Sequence, residues 1–563
     1  MKHTRYTLFV IPLILMAGIL FAQPPQKEVD SLNFNEYLRA KQERENQMRI
    51  NASIQLETQL NTPGLKNLVL TDYQDAEIDQ RITMLRDLES FTCIRCKRLD
   101  VYKLFNQLKQ CSKLRKLDLS GCDFQSLTNN ISALQSLEEL NLSRNALRTF
   151  PDSLISISRL KKLDLSENKY LYDDEVYTKL SGHSALEELS FAFAGLFAVH
   201  PSVGRLPALR TIDFSGNGIR YLPSAIRQCG RLEEIYLNRN DDLDIQRISD
   251  TLQFLPRLKV LSVRECYLPA LPSSLCELKS LEKLDVSGNR LSALPQNIGS
   301  LRNLRQLLAG YAVLGTRMNT LTSLPLSFSQ LTVLEELDLS GNQLAALPAG
   351  FSDLSALRSL NLSYNSFSQI PADVFSLQRL TSVDFASNPL SELDSQIAQL
   401  QELRVLRLAA HFFLKPNQKL HVLPEAICSL KNLEVLDLSD HVIDSLPSCW
   451  GNLSALRELS LRSNLLSRLP DSFIRLSSLE KLDLKGNEMQ QLPAGFSAMS
   501  SLRELNFAMN LKADFSLVLP EMEKMKNLQM LDLSFNNLSD EVISALSRKL
   551  GAGCAIRAQD YKK

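Results

Sequence analysis

Tryptophan is nearly missing from this 563-residue chain, with Trp450 its only one, and aromatic residues make up 7% of it. A single large core draws on aromatic side chains, which bury the most area each. Their scarcity points instead to many small cores. There is no charge of one sign in excess, since 63 basic residues meet 63 acidic ones. A nucleic-acid binder shows a basic surplus or stripe, because phosphate neutralisation drives its affinity, so nucleic acid is not expected as a partner. The six histidines are scattered. No glycine-rich phosphate loop with its lysine, no HExxH pair and no GxSxG elbow occurs, so no catalytic or cofactor site is expected. The ten cysteines show no regular pairing and read as small buried hydrophobes, not a disulfide framework. Long apolar runs are also lacking, apart from Leu8 to Ala22.

That run follows Lys2 and Arg5, is short for a membrane span, and stops at Ala22 before Gln23-Pro24-Pro25. It reads as a cleaved secretory signal, with an uncleaved anchor as the other reading. The expected product is exported, with no membrane span in the mature chain. Residues 23–64 are polar with a helical stretch from Phe34 to Leu60 and read as an N-terminal cap or a linker. Residues 65–550 are repeats, and residues 551–563 are a short tail.

The repeat is plainest at Leu281, LEKLDVSGNRLSALPQNIGSLRN. It returns as LEELDLSGNQLAALPAGFSDLSA from Leu334 and as LEKLDLKGNEMQQLPAGFSAMSS from Leu479. Twenty starts run from Leu65 to Leu528, most of them 23 residues apart. Leu284 and Val286 are two apart and share one face of a strand, while Lys283, Asp285 and Ser287 share the other. One turn cannot bury its own leucines, but stacked turns bury them against one another.

This pattern resembles the leucine-rich repeat family in its 23-residue form with an outer Leu-Pro. The resemblance implies an α/β solenoid, a horseshoe or superhelix with a parallel inner sheet and mixed outer helices and 3-10 or extended turns. It also implies that the asparagine after each strand, such as Asn289, faces inward. Asparagine fills that position in twelve of twenty repeats, cysteine at Cys96, Cys122 and Cys266, and histidine at His411 and His441. An inward amide must be satisfied, and backbone groups of adjacent turns are its natural partners.

Leu-Pro pairs such as Leu294-Pro295 favour short extended or 3-10 returns. The longer repeats drop them and place Asp100, Asp174, Asp244, Asp514 and Ser539 where helix caps are expected. The repeats at Leu304 and Leu403 are longest, with additions around Gly315 to Thr320 and Lys415 to Leu420 that should share one edge. The acidic groups Asp173-Asp174-Glu175 and Asn240-Asp241-Asp242-Asp244 suit helix capping better than calcium, since neither has the glycine-bearing calcium loop. The Cys93/Cys96 pair is a weak CxxC whose members fall on inward positions. Cys96 and Cys122 occupy equivalent places on adjacent rungs.

Departures from the generic LDLSGN rung mark the candidate partner site on the concave strip: Phe193, Tyr236, Asn238, Arg239, Arg264, Glu265, Leu308, Tyr311, Arg407 and Arg462. Tyrosine and arginine are enriched at binding hot spots. An open sheet offers no closed pocket for a small molecule, so the expected partner is a protein or peptide. The expected role is an exported protein-binding module. A self-associating structural or adhesive cell-surface protein is the alternative. The non-repeat segments are too small for a catalytic core, so the chain is not expected to be an enzyme.

Overall fold

A computed structural model describes residues 34–311 and 318–559. Residues 1–33, which include the expected leader, residues 312–317 and the last four residues lie outside the described residues. The chain divides into two compact units, residues 1–171 and 172–563.

In the first unit, helix α1 (Phe34–Leu60) precedes strands β1 (Asn67–Thr71), β2 (Ser90–Ile94), β3 (Lys116–Asp118), β4 (Glu139–Asn141) and β5 (Lys162–Asp164). The strands pair in parallel and in chain order. Parallel pairing requires a long crossover, which each repeat supplies as its outer return. Ala52 and Leu56 of α1 are buried. The Gln59 side chain treats β1 as a neighbouring strand would: its Oε1 accepts the Val69 amide at 2.9 Å and its Nε2 donates to the Val69 carbonyl at 2.7 Å.

The second unit continues the plan from β6 (Glu188–Ser190) to β20 (Met530–Asp532). Paired residues advance by a whole repeat, as in Lys283↔Gln306 between β10 (Lys283–Asp285) and β11 (Gln306–Leu308). A further strand, β21 (Ala555–Arg557), pairs with β20 inside the segment expected to be tail. It lacks the leucine spacing that marks the other rungs, and backbone pairing with Met530–Asp532 is what orders it.

The core is a stack of identical layers. Leu284, Leu307, Leu337 and Leu360 are all buried, one per rung. Phenylalanines line the outer wall, with Phe328 and Phe351 stacked at 6.3 Å and Phe473 and Phe496 at 6.5 Å between ring centroids. Trp450 fills the same layer and is fully buried.

Outer helices form where aspartate or serine caps were expected. Asp100 accepts the amides of Tyr102 and Lys103 at the start of α2 (Val101–Leu108). Asp244 opens α4 (Ile245–Leu252), Asp514 opens α6 (Phe515–Met522) and Ser539 opens α7 (Asp540–Leu550). Asp174 does not cap. The helix there, α3 (Asp173–Lys179), begins two residues earlier than that cap would set it, with Tyr172 at its cap, so Asp174 lies in the first turn. The short α5 (Ala372–Phe375) replaces a 3-10 turn in an ordinary repeat. Elsewhere among the described residues the returns are 3-10 turns, six of them entered from proline.

The inward polar ladder holds in most rungs. Asn289 donates to the carbonyls of Val263 and Val286 at 2.9 and 2.8 Å, and its Oδ1 accepts the amides of Cys266 and Leu268. Cys122 and Cys266 substitute thiols, donating to the carbonyls of Cys93 and Leu237 at 3.1 Å. His441 bridges the Leu408 carbonyl and the Leu420 amide. Two expectations need correction. His411 is only half-buried and stacks outside, because the seven extra residues after it lift the chain off the ladder. Cys96 is bonded to Cys93, and a second disulfide joins Cys428 to Cys449 across adjacent outer turns. Cysteine spacing could not show this, since folding rather than sequence sets those distances. Cys122 stays a thiol, and burial pushes it up to about 12. In the repeat at Leu304 the ladder role falls to Asn319, which the sequence pattern missed because the addition shifts it by seven places.

Candidate functional site

Every candidate contact residue lies in the second unit. The structure sorts them into two groups. Asn238, Arg239, Arg264 and Glu265 satisfy one another. Asn238 Oδ1 accepts the Ser262 hydroxyl at 2.6 Å and the Arg264 amide at 2.9 Å. The Glu265 side chain is buried and ion-paired to Arg239 at 2.9 Å and to Arg264 at 2.8 Å. Burial opposes ionisation there, yet the two guanidiniums hold the carboxyl below its usual range. Tyr236 is half-buried and donates its hydroxyl to Glu234 at 2.9 Å. These residues are tied into one knot in which Glu265 is buried and the Arg239 and Arg264 side chains remain partly exposed.

The others stay open. Arg407 and Arg462 are exposed. Leu308 stands between Asp285 and Asp338 in strand register. Phe193 and Tyr311 are partly exposed, and each lies over a glycine of the next rung. A Cβ at Gly216 would stand 2.2 Å from the Phe193 ring, and one at Gly341 would stand 2.8 Å from Tyr311. Both glycines also have positive φ. They are needed twice over, for backbone geometry and for space.

Tyr311 belongs to a larger cluster that the sequence reading did not assemble. Its ring meets Tyr364 edge-on at 5.6 Å, Tyr364 meets His411 at 6.2 Å, and His411 lies 5.4 Å from Phe413. Phe412 packs on Phe413 at 5.5 Å. Phe412 is 79% exposed and Phe413 84%. Tyr364 was hidden because it occupies the glycine position of an otherwise ordinary rung, at φ 54°. Phe412 and Phe413 were hidden because they sit in an addition with no register. Large side chains in left-handed backbone are uncommon, and such strain gathers where display matters.

Beside the aromatics runs an acidic column. Strand register sets Asp285, Leu308, Asp338, Asn361, Asp384, Arg407 and Asp437 side by side in that order. Each aspartate fixes itself by accepting the amide two residues on, at 3.0 Å for Asp285 and 2.9 Å for Asp338 and Asp384. Burial raises the carboxyls of Asp338 and Asp384 above the usual range. Further along, a concavity of about 400 Å³ is lined by Asp437, Asp483 and Asp532, with Arg407 and Arg557 among its walls. Among the described residues no group of three or more metal-ligating side chains comes together, and no helix is long and apolar enough to cross a membrane.

The family signature "Leucine-rich repeat region" matches residues 403–558. "Leucine rich repeat" signatures match residues 112–169, 317–367 and 280–301. A curated relative, the leucine-rich repeat-containing G-protein coupled receptor 5 of Xenopus tropicalis, is 35% identical over 115 residues. That stretch is 20% of this chain, and the chain spans only 12% of the receptor's length. Among solved structures, a leucine-rich repeat protein of Leptospira interrogans is 27% identical with a TM-score of 0.58, covering 80% of this chain and 97% of that one. A TLR13–ssRNA13 complex shares the fold at 22% identity and a TM-score of 0.52, covering 86% of this chain and 80% of that one. A plant peptide hormone receptor shares it at 20% and 0.50, covering 88% and 95%. The repeating leucine layers, the inward asparagine ladder and these matches agree, and the chain belongs to the leucine-rich repeat proteins.

Proposed function

We propose that this protein is an exported binding module that holds a protein or peptide on the open face of its second unit. The observation that carries the reading is the exposed aromatic cluster Tyr311, Tyr364, His411, Phe412 and Phe413. Contiguous exposed aromatics on a soluble surface mark interaction sites. The rest of the candidate strip is narrowed accordingly, with Arg407 and Leu308 retained and the Glu265 knot given a structural role. Export is supported by Lys2, Arg5 and the apolar run Leu8 to Ala22. The two disulfides suit an oxidising compartment. A nucleic-acid partner is disfavoured by the balanced charge and by the acidic column, which would repel phosphate. No catalytic role is proposed.

The test is affinity capture with residues 23–563 as bait and Tyr311→Ala/Tyr364→Ala as the control bait. A protein retained by the native bait and lost by the control supports the reading. Equal capture by both baits sinks the aromatic site. No capture, with oligomers on sizing, favours the self-associating structural role.

A further inference from the structure

The aromatic row and the acidic column lie on one surface: a Cβ on Gly310, next to Tyr311, would stand 2.5 Å from Asp338 Oδ1, and Tyr311 itself lies over Gly341, three residues on from Asp338. We infer that the occupant is a basic, proline-rich segment in the polyproline II conformation, lying across the strands from β10 to β15 (Val405–Arg407) with a cation at every third residue. The inference rests on the binding role proposed above and names its ligand class.

The argument is one of matching periods. Asp285, Asp338 and Asp384 recur at every second strand, with uncharged Leu308 and Asn361 between them. Strands lie about 4.8 Å apart, so the carboxylates repeat at about 9.6 Å. A polyproline II chain rises about 3.1 Å per residue with three residues per turn, and its like-facing side chains repeat at about 9.3 Å. An extended β-chain fails, because its same-face side chains repeat at about 6.6 to 7 Å and its third residue points away. An α-helix comes nearest at seven residues, about 10.5 Å, and drifts by nearly 1 Å at each carboxylate.

The second side of such a ligand would face the aromatics. Tyr311 and Tyr364 start two rungs apart but their rings meet edge-on at 5.6 Å, so they form one continuous aromatic face against which the proline rings of the ligand would pack. Aromatic-lined grooves recognise polyproline II segments this way, helped by the low entropy cost of ordering a stiff chain. The next acid of the series, Asp437, is separated from Asp384 by Arg407 where the earlier gaps hold uncharged Leu308 and Asn361, and that guanidinium would repel a fourth cation. The site therefore fits about seven residues, spanning about 19 Å.

The probe is fluorescein-labelled Lys-Pro-Pro-Lys-Pro-Pro-Lys added to the full mature chain at low salt, read by anisotropy. The comparison peptide is Lys-Lys-Lys-Pro-Pro-Pro-Pro, of identical composition. The ordered peptide should bind at least about tenfold more tightly, a difference of about 1.4 kcal/mol. Asp338→Asn/Asp384→Asn and, separately, Tyr364→Gly should each lower its affinity about tenfold or more, whereas Asp118→Asn in the first unit should leave it unchanged. Equal affinity for the two peptides, indifference to these variants, or no saturation by about 1 mM peptide overturns the inference. Should the ordered peptide fail while the Tyr311→Ala/Tyr364→Ala bait still loses its captured protein, only the ligand class is wrong. Should both baits capture alike, the site itself is wrong.

Discussion

Among the described residues sixteen other than glycine adopt a positive φ, most at the position that the generic rung gives to glycine. Tyr364 is one of them, and its exposed ring contributes little to the core. Replacing it with glycine removes backbone strain of about 1 kcal/mol. Tyr364→Gly should therefore keep or slightly raise the unfolding midpoint in urea while weakening partner capture. A clear loss of stability would mean that the ring is structural. Glu265 presents the opposite case. Its carboxyl is held low by Arg239 and Arg264, so its contribution to stability is complete above the usual carboxylate range. It fades as pH falls through the depressed folded value. Glu265→Gln should cost about 2 kcal/mol near neutral pH, with the gap to wild type closing as pH falls below the usual carboxylate range. Thermal melts across that range check both the size and the sign.

At the scale of the element, the outer turns are spaced by glycine. A Cβ on Gly299 would stand 1.8 Å from the Ser327 carbonyl oxygen in the next turn, and one on Gly451 would stand 2.3 Å from that of Ser472. Gly299→Ala should force neighbouring 3-10 turns apart and destabilise by about 1 to 3 kcal/mol, the usual cost of overpacking. Hydrogen exchange should then quicken in the turns Ile298–Ser300 and Leu326–Gln330 and leave distant rungs alone, since repeats contact mainly their neighbours. Uniform loss of protection along the chain would contradict that locality. The sequence shows why such turns exist, because proline favours the extended entry. It does not show which glycines face a carbonyl, as that depends on the neighbouring turn.

For the molecule as a whole, the exposed first edge is the hazard. A sheet edge left open invites pairing with another copy, and a repeat array needs its ends covered. The Gln59 carboxamide occupies the Val69 backbone pair, while Ala52 and Leu56 close the first layer of the first unit. Leu56→Asp should loosen α1 and expose β1. Light scattering should then report oligomers or aggregates where the wild type gives a discrete species. An unchanged mass would show that the first unit does not need the helix.

The sequence alone determined the rungs. A leucine at fixed spacing can only be buried by another like it, so the strand positions and their parallel order followed from periodicity, and the inward Asn289-type ladder from the family resemblance that the periodicity carries. Caps at Asp100, Asp244, Asp514 and Ser539 were legible for the same reason, as each is a local interaction with amides a few residues on. Tertiary structure decided everything that depends on which rung lies beside which. It paired Cys428 with Cys449, closed Arg239, Arg264 and Glu265 on one another, seated Asn319 on the ladder, and gathered Tyr311, Tyr364, His411 and Phe413 into one row. Periodicity describes one repeat at a time. Contacts between side chains twenty to fifty residues apart exist only once the repeats are stacked.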